Sequence, residues 1–237
     1  MKRKALLLLL TALLAVAAPV HAQQYELLFA FTGFDYQDPN GVPGPDPETQ
    51  YLMPGEGYKL VGFVTQFGPL LTPWVDPDTY EYTNHMFNLT VVAHFYFGGF
   101  VEVDFANNGR GRYYRDPLSS GTPGTYGVFP PNLTSPLTFI DGGPTALRLG
   151  GKIDNFVLTY DFNLAQGNFN GDMTLDEGPD LIYVPSGQRA GWTLAGLAGR
   201  PNDTIPAGYD NQVTGECKVL STPVTHKTWG AVKALYR

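Results

Sequence analysis

The chain has 237 residues, and 15 Lys and Arg against 22 Asp and Glu leave a formal charge of −7 at neutral pH. Such a balance repels nucleic acid and anionic lipid surfaces, and so argues against both as partners. Charged residues make up only 16% and aromatic residues 14%, with 28 Gly and 20 Pro, which suits aromatic strands between tight turns and leaves little material for amphipathic helices.

Met1-Lys2-Arg3-Lys4 is basic, Ala5 to Val20 is an apolar run of 16 residues, and Val20-His21-Ala22 closes it with small residues. These are the three regions of an export signal, with cleavage expected after Ala22. The run is shorter than the ~20 residues that span a bilayer, so a cleaved leader is the better reading than an anchor. Removing it leaves twelve basic residues against 22 acidic ones, and places the protein outside the cytoplasm: secreted, periplasmic or on the cell surface. Cys217 is the one cysteine, so no internal disulfide forms and stability must come from a packed core.

Residues 23–220 read as one β domain, and 221–237 as a linker with a short basic and aromatic tail. Tyr25 to Phe34 and Tyr58 to Phe67 are the first two strands, separated by a Pro- and Gly-rich loop. From Phe87 to Phe97 apolar residues alternate, with Phe87, Leu89, Val91, Ala93, Phe95 and Phe97 on one face. A three-residue loop around Gly98-Gly99 would keep carboxylates off that face, setting His94 opposite Asp104 and Tyr96 opposite Glu102. Asn108-Gly109 then reads as a tight turn returning Arg115 opposite Glu102. A second hairpin with Gln166-Gly167 as its turn aligns Asn163 with Asn170, Asp161 with Asp172 and Thr159 with Thr174. Further strands are expected at Leu137 to Ile140, Leu181 to Val184, Gly191 to Leu197 and Gln212 to Leu220. Turns at these intervals without alternating helices indicate an all-β, antiparallel β-sandwich or jelly roll with long Gly/Pro-rich loops and a short C-terminal tail. An outer-membrane barrel shares the aromatic alternation, but 20 Pro and the terminal Tyr236-Arg237 fit it poorly.

Opposed like charges destabilise a sheet unless something neutralises them, so an Asp161–Asp172 pair points to Ca²⁺, with Asn163, Asn170 and Asp176 as further ligands. Gly167-Asn168-Phe169-Asn170-Gly171-Asp172 resembles half of a dockerin calcium repeat, departing from it at Met173 and Pro179. Asp35, Asp38, Asn40 and Asp46 form a second acidic cluster beside Pro and Gly, where Asp and Asn are ordinary turn formers. Glu102-Val103-Asp104-Phe105 resembles the carboxylate strand of laminarinase-like glycoside hydrolases, which implies Glu102 as nucleophile and Asp104 as its tuning partner. The last acid of that motif is replaced by Ala106 or Asn107. Separately, the expected register sets His94 beside Asp104, as an oriented base or a surface ion pair. Trp74, Tyr80, Tyr82 and Trp192 could stack on sugar rings if exposed. The leading expectation is a non-catalytic exported domain with a binding or structural role, with Ca²⁺ as its candidate stabilising ion and a glycan or cell-envelope component as its candidate partner; the alternative is a jelly-roll glycoside hydrolase using Glu102 and Asp104.

Overall fold

The computed structural model describes residues 25–38, 51–119, 123–126, 139, 146–200, 205–206 and 208–220. The leader, the tail 221–237, Asn40 and Asp46 lie outside them. The chain divides into a body of residues 26–219 and a second unit of residues 1–25 and 220–237; all that follows concerns the body.

Nine strands form one sheet: β1 Tyr25–Asp38, β2 Gly57–Phe67, β3 Tyr80–Phe97, β4 Phe100–Phe105, β5 Gly109–Pro117, β6 Leu147–Asp161, β7 Gln166–Glu177, β8 Trp192–Gly199 and β9 Asn211–Leu220. β4 and β5 lie end to end in a single position between β3 and β6, since Phe97 pairs with Phe100 at one end of β3 and Tyr80 with Pro117 at the other. The sheet therefore has eight positions, and β9 returns beside β1 to close it into an antiparallel barrel. At that seam Asp210 donates its backbone N–H to Asp35 O (2.9 Å), and Thr32 Oγ1 donates to Val213 O (3.3 Å). The all-β, antiparallel expectation stands; the sandwich or jelly roll is replaced by this closed barrel.

Strand parity explains both the core and the errors of register. β7 alternates without interruption, burying Phe169, Met173 and Leu175 and turning Asn168, Asn170, Asp172, Thr174 and Asp176 outward. β3 does not. It turns Met86 inward, then Leu89 and Val91, because Asn88 sits at φ +58° and shifts the parity. A second irregularity at Val92 shifts it again. Each extra residue in a ladder exchanges the two faces beyond it. Ala93, Phe95 and Phe97 therefore share the outer face with Asp104 and Glu102, and Gly98-Gly99 is the two-residue turn, at φ +59° and +87°, conformations that favour glycine. His94 faces Val103 and Phe95 faces Glu102, correcting the three-residue loop. Likewise Asn108-Gly109 is no hairpin turn but part of the junction between β4 and β5, and Arg115 pairs with Tyr82.

The β6–β7 hairpin turns at Phe162–Ala165, so Asp161 pairs with Gln166 and Leu158 with Phe169. Asp172 stands opposite Asp154, not Asp161. The position of the turn separates Asp172 from Asp161, and an irregularity over residues 154–157, with Asn155 at φ +50°, moves the partner of Asp172 by one further residue, from Asn155 to Asp154.

The barrel interior is filled. Phe31, Tyr58, Leu60, Met86, Phe105, Phe156, Phe169, Trp192 and Cys217 belong to one buried cluster, which is what an eight-position barrel of this bore accommodates. Tyr51 and Leu52 are buried at the end where β2 begins, and Gly55 and Glu56 hold them there through backbone bonds with Val91. The other end is covered by Leu71 and by the 3-10 turn Pro179–Tyr183, where a strand over Leu181 to Val184 was expected. A second apolar layer lies outside β1 and β2, where Tyr126, Phe139 and Tyr209 pack on Phe34, Tyr36, Val61 and Phe63. Of the strand expected over Leu137 to Ile140 only Phe139 is described, and it is buried in that layer.

This polarity is the inverse of an outer-membrane barrel. Lys152, Asp154, Asp172, Asp176 and Arg110 project from the outer wall, and charges on a lipid-facing wall cost a few kcal/mol each near the bilayer centre.

Candidate functional site

With the interior packed, a broad concave surface lies on the outer wall. It is a depression of about 780 Å³ across β6, β7, β8 and β9. Its polar lining comes from outward positions of these strands: Thr159 and Asp161 on β6, Gln166 and Asn168 on β7, and Gln212 and Thr214 on β9. Leu197 on β8, 65% exposed, forms an apolar floor, with Phe100 and Leu164 beside it. Arg200 enters from the end of β8 and donates Nε–H to Asp210 O (2.5 Å). Asp161 Oδ1 accepts the backbone N–H groups of Asn163 (2.9 Å) and Leu164 (3.2 Å), tying off its own turn. The side-chain amides of Gln166, Asn168 and Gln212 make no hydrogen bond with another described residue. A second depression of about 500 Å³ continues the surface over β8, β9, β1 and β2, sharing Leu197 and Thr214.

Beneath one end of this wall lies a polar network inside the barrel. Asp35 has no exposed surface. Its carboxylate accepts Tyr58 O–H (2.9 Å), the backbone N–H of Asn211 (2.7 Å) and the Asn211 side-chain amide (3.2 Å). The Asn211 amide also donates to Tyr51 Oη (3.1 Å), and Asp210 Oδ2 accepts the Gln37 N–H (3.0 Å). Burial, with the neighbouring Asp210 charge, pushes the Asp35 carboxyl up to about 7, and burial pushes Asp210 up to about 6. Two carboxyls with raised affinity for protons would ordinarily suggest acid–base chemistry. Here both are buried, and both bond across the seam between β1 and the start of β9.

The residues singled out in the sequence are dispersed. Glu102 and Asp104 point outward, whereas His94 points inward with Nδ1 3.3 Å from Leu52 O; the three do not converge, and Glu102 and Asp104 line neither depression. Asp172 accepts from Asn155 Nδ2 (2.8 Å), and Asp154 takes Lys152 Nζ at 2.8 Å. Asp176 is held by both terminal nitrogens of Arg110 (2.9 and 2.7 Å). Asp161 is roughly 20 Å along the sheet from Asp172, six residues beyond its own partner. The five proposed calcium ligands are thus not one cluster, and no group of three or more His, Cys, Asp or Glu among the described residues is arranged around a metal position. Asp35, from the other acidic cluster, is turned into the barrel. On the same strand as His94, burial lowers His85 to about 3.

Of the aromatic candidates, Trp192 is buried and donates Nε1–H to Gln188 O (2.6 Å). Tyr82 is buried, and Tyr80 carries the Arg115 guanidinium 4.3 Å from its ring centroid. Only Trp74 is widely exposed, its ring parallel to Tyr183 at 3.9 Å. In the sequence Gln166, Leu197 and Gln212 stand out only as turn or strand-end residues and Asn168 only within the calcium-repeat resemblance; the pairing of β7 with β8 and of β8 with β9 brings them onto one surface.

Comparison with protein-family models, with curated proteins and with solved structures finds no match.

Proposed function

We propose that this chain is an exported, non-catalytic binding protein that takes its ligand on the outer wall of its barrel, at the cell surface or in the envelope. The observation that carries this reading is the depression over β6–β9, where amides with no hydrogen-bond partner among the described residues surround an exposed leucine floor. A filled barrel has no internal chamber to offer, so recognition falls to the wall. The leader-like start supports export. The hydrolase alternative has no comparable support, since Glu102 and Asp104 lie on a wall outside either depression, with His94 turned away from them.

The test is co-sedimentation of the protein, purified as the cell exports it, with isolated cell envelopes. Wild type is expected in the pellet and a Leu197→Asp variant in the supernatant. Leu197 is exposed, so that variant should melt at the wild-type temperature. Equal sedimentation of the two, or none of either, would contradict an outer-wall site.

A further inference from the structure

We infer that the ligand of this wall is a neutral polysaccharide chain, a proposal that rests on the outer-wall reading above. Three features select that chemistry. First, the lining balances one carboxylate, Asp161, against one guanidinium, Arg200, and its other polar groups are amides and hydroxyls. A surface with no net charge favours a ligand with none, and disfavours phosphate groups or acidic sugars. Secondly, the planar amides of Gln166, Asn168 and Gln212 each offer a donor and an acceptor side by side, which matches the paired hydroxyls of a hexose, while Leu197 and the Phe100 ring meet its C–H faces. Thirdly, the depression is open and runs on past Leu197 and Thr214 into its neighbour, so it fits a polymer lying across the strands better than a small molecule enclosed on all sides.

A peptide is the chief competitor for such a surface. Extended peptides commonly bind by adding a strand to a free sheet edge, and a closed barrel has none to offer. Helical peptides need a continuous apolar groove, whereas the amides here interrupt the apolar floor.

Affinity electrophoresis of the exported protein in gels containing soluble β-glucan, mannan, galactan or, as the charged control, polygalacturonate decides the matter. At least one neutral polymer is expected to retard the wild type, with polygalacturonate having no effect. The Gln166→Ala/Gln212→Ala variant is expected to lose about tenfold in affinity for that polymer, as the loss of two amide contacts implies, with an unchanged melting temperature. Retardation by polygalacturonate alone, by no polymer, or equally in wild type and variant would overturn the assignment. Repeating the envelope sedimentation with an excess of each soluble polymer separates this failure from failure of the outer-wall reading. Sedimentation that no neutral polymer competes away yet is lost in Leu197→Asp keeps the wall as the site and removes the glycan.

Discussion

Asp35 on the first strand accepts the backbone N–H of Asn211, the first residue of the last strand, at 2.7 Å, across 176 positions of sequence. The contact joins the two strands whose pairing closes the barrel, and it is made inside, out of reach of water. Tyr58 and Tyr51 face the same carboxylate from β2 and the end plug, Asp210 lies beside it, Arg200 and Glu56 act on Asp210, and Tyr160 is near from β6. Both carboxyls hold protons more tightly folded than unfolded. The folded state therefore binds more protons between the ordinary carboxylate range and about 7, and stability falls as pH rises through that window. The melting temperature is expected to be higher at about pH 5 than at about pH 8. In an Asp35→Ala/Asp210→Ala variant that difference should shrink; an unchanged pH profile would remove these groups as its source.

The opposite end carries its own buried ion pair. Arg148 is bonded to Asp180 with side-chain exposures of 15% and 3%, and Tyr113 donates O–H to the same carboxylate (2.5 Å). This pins the 3-10 turn that covers the barrel end. Arg148→Met leaves a buried charge short of its partner and should cost about 3 kcal/mol, whereas Tyr113→Phe should cost about 1 kcal/mol. Urea unfolding measures both, and equal costs would contradict this ranking.

Ca²⁺ at millimolar concentration is expected to leave the melting temperature where EDTA leaves it. Asp161 is occupied with its own turn and Asp176 with Arg110, and Asp172 stands far from Asp161. A ligand of the folded state must raise the midpoint by mass action, so a rise that disappears in Asp172→Asn would place a cation on β7 after all.

Cys217 is fully buried, 3.8 Å from Met173 Sδ, and burial raises its thiol well above the ordinary range. Thiol reagents should label it only as fast as the barrel opens, and denaturant should bring complete labelling. Immediate labelling of the native protein would show that the β7–β9 core is not closed.

The strands themselves were legible because β1, β2, β8 and β9 are apolar and aromatic stretches bounded by Gly, Pro, Asn and Asp. Register was not, wherever a strand carries an extra residue. Asn88, Val92 and Asn155 look ordinary in sequence, yet each shifts parity; the first two moved Phe95 to water and His94 to the interior, whereas Asp161 and Asp172 parted because the β6–β7 turn lies at Phe162–Ala165 and not at Gln166-Gly167. Closure was hidden for another reason: pairing of β1 with β9 is a contact between the two ends of the chain, and the alternation of a sandwich strand and a barrel strand is the same. The outer-wall surface shared that fate, since Gln166, Leu197 and Gln212 become neighbours only after β6–β9 are set side by side.

The central claim is that the ligand lies on the outer wall of a filled barrel. The most direct measurement is a backbone amide chemical-shift map of the labelled protein titrated with neutral oligosaccharides released from the cell envelope by partial acid hydrolysis. Shifts are expected to cluster at Gln166, Asn168, Leu197, Gln212 and Thr214, with Phe169, Met173 and Cys217 on the inward face unmoved. Shifts centred on Tyr51, Leu52 and the Asp35–Asn211 network would instead place the ligand at the barrel mouth, and would contradict that claim.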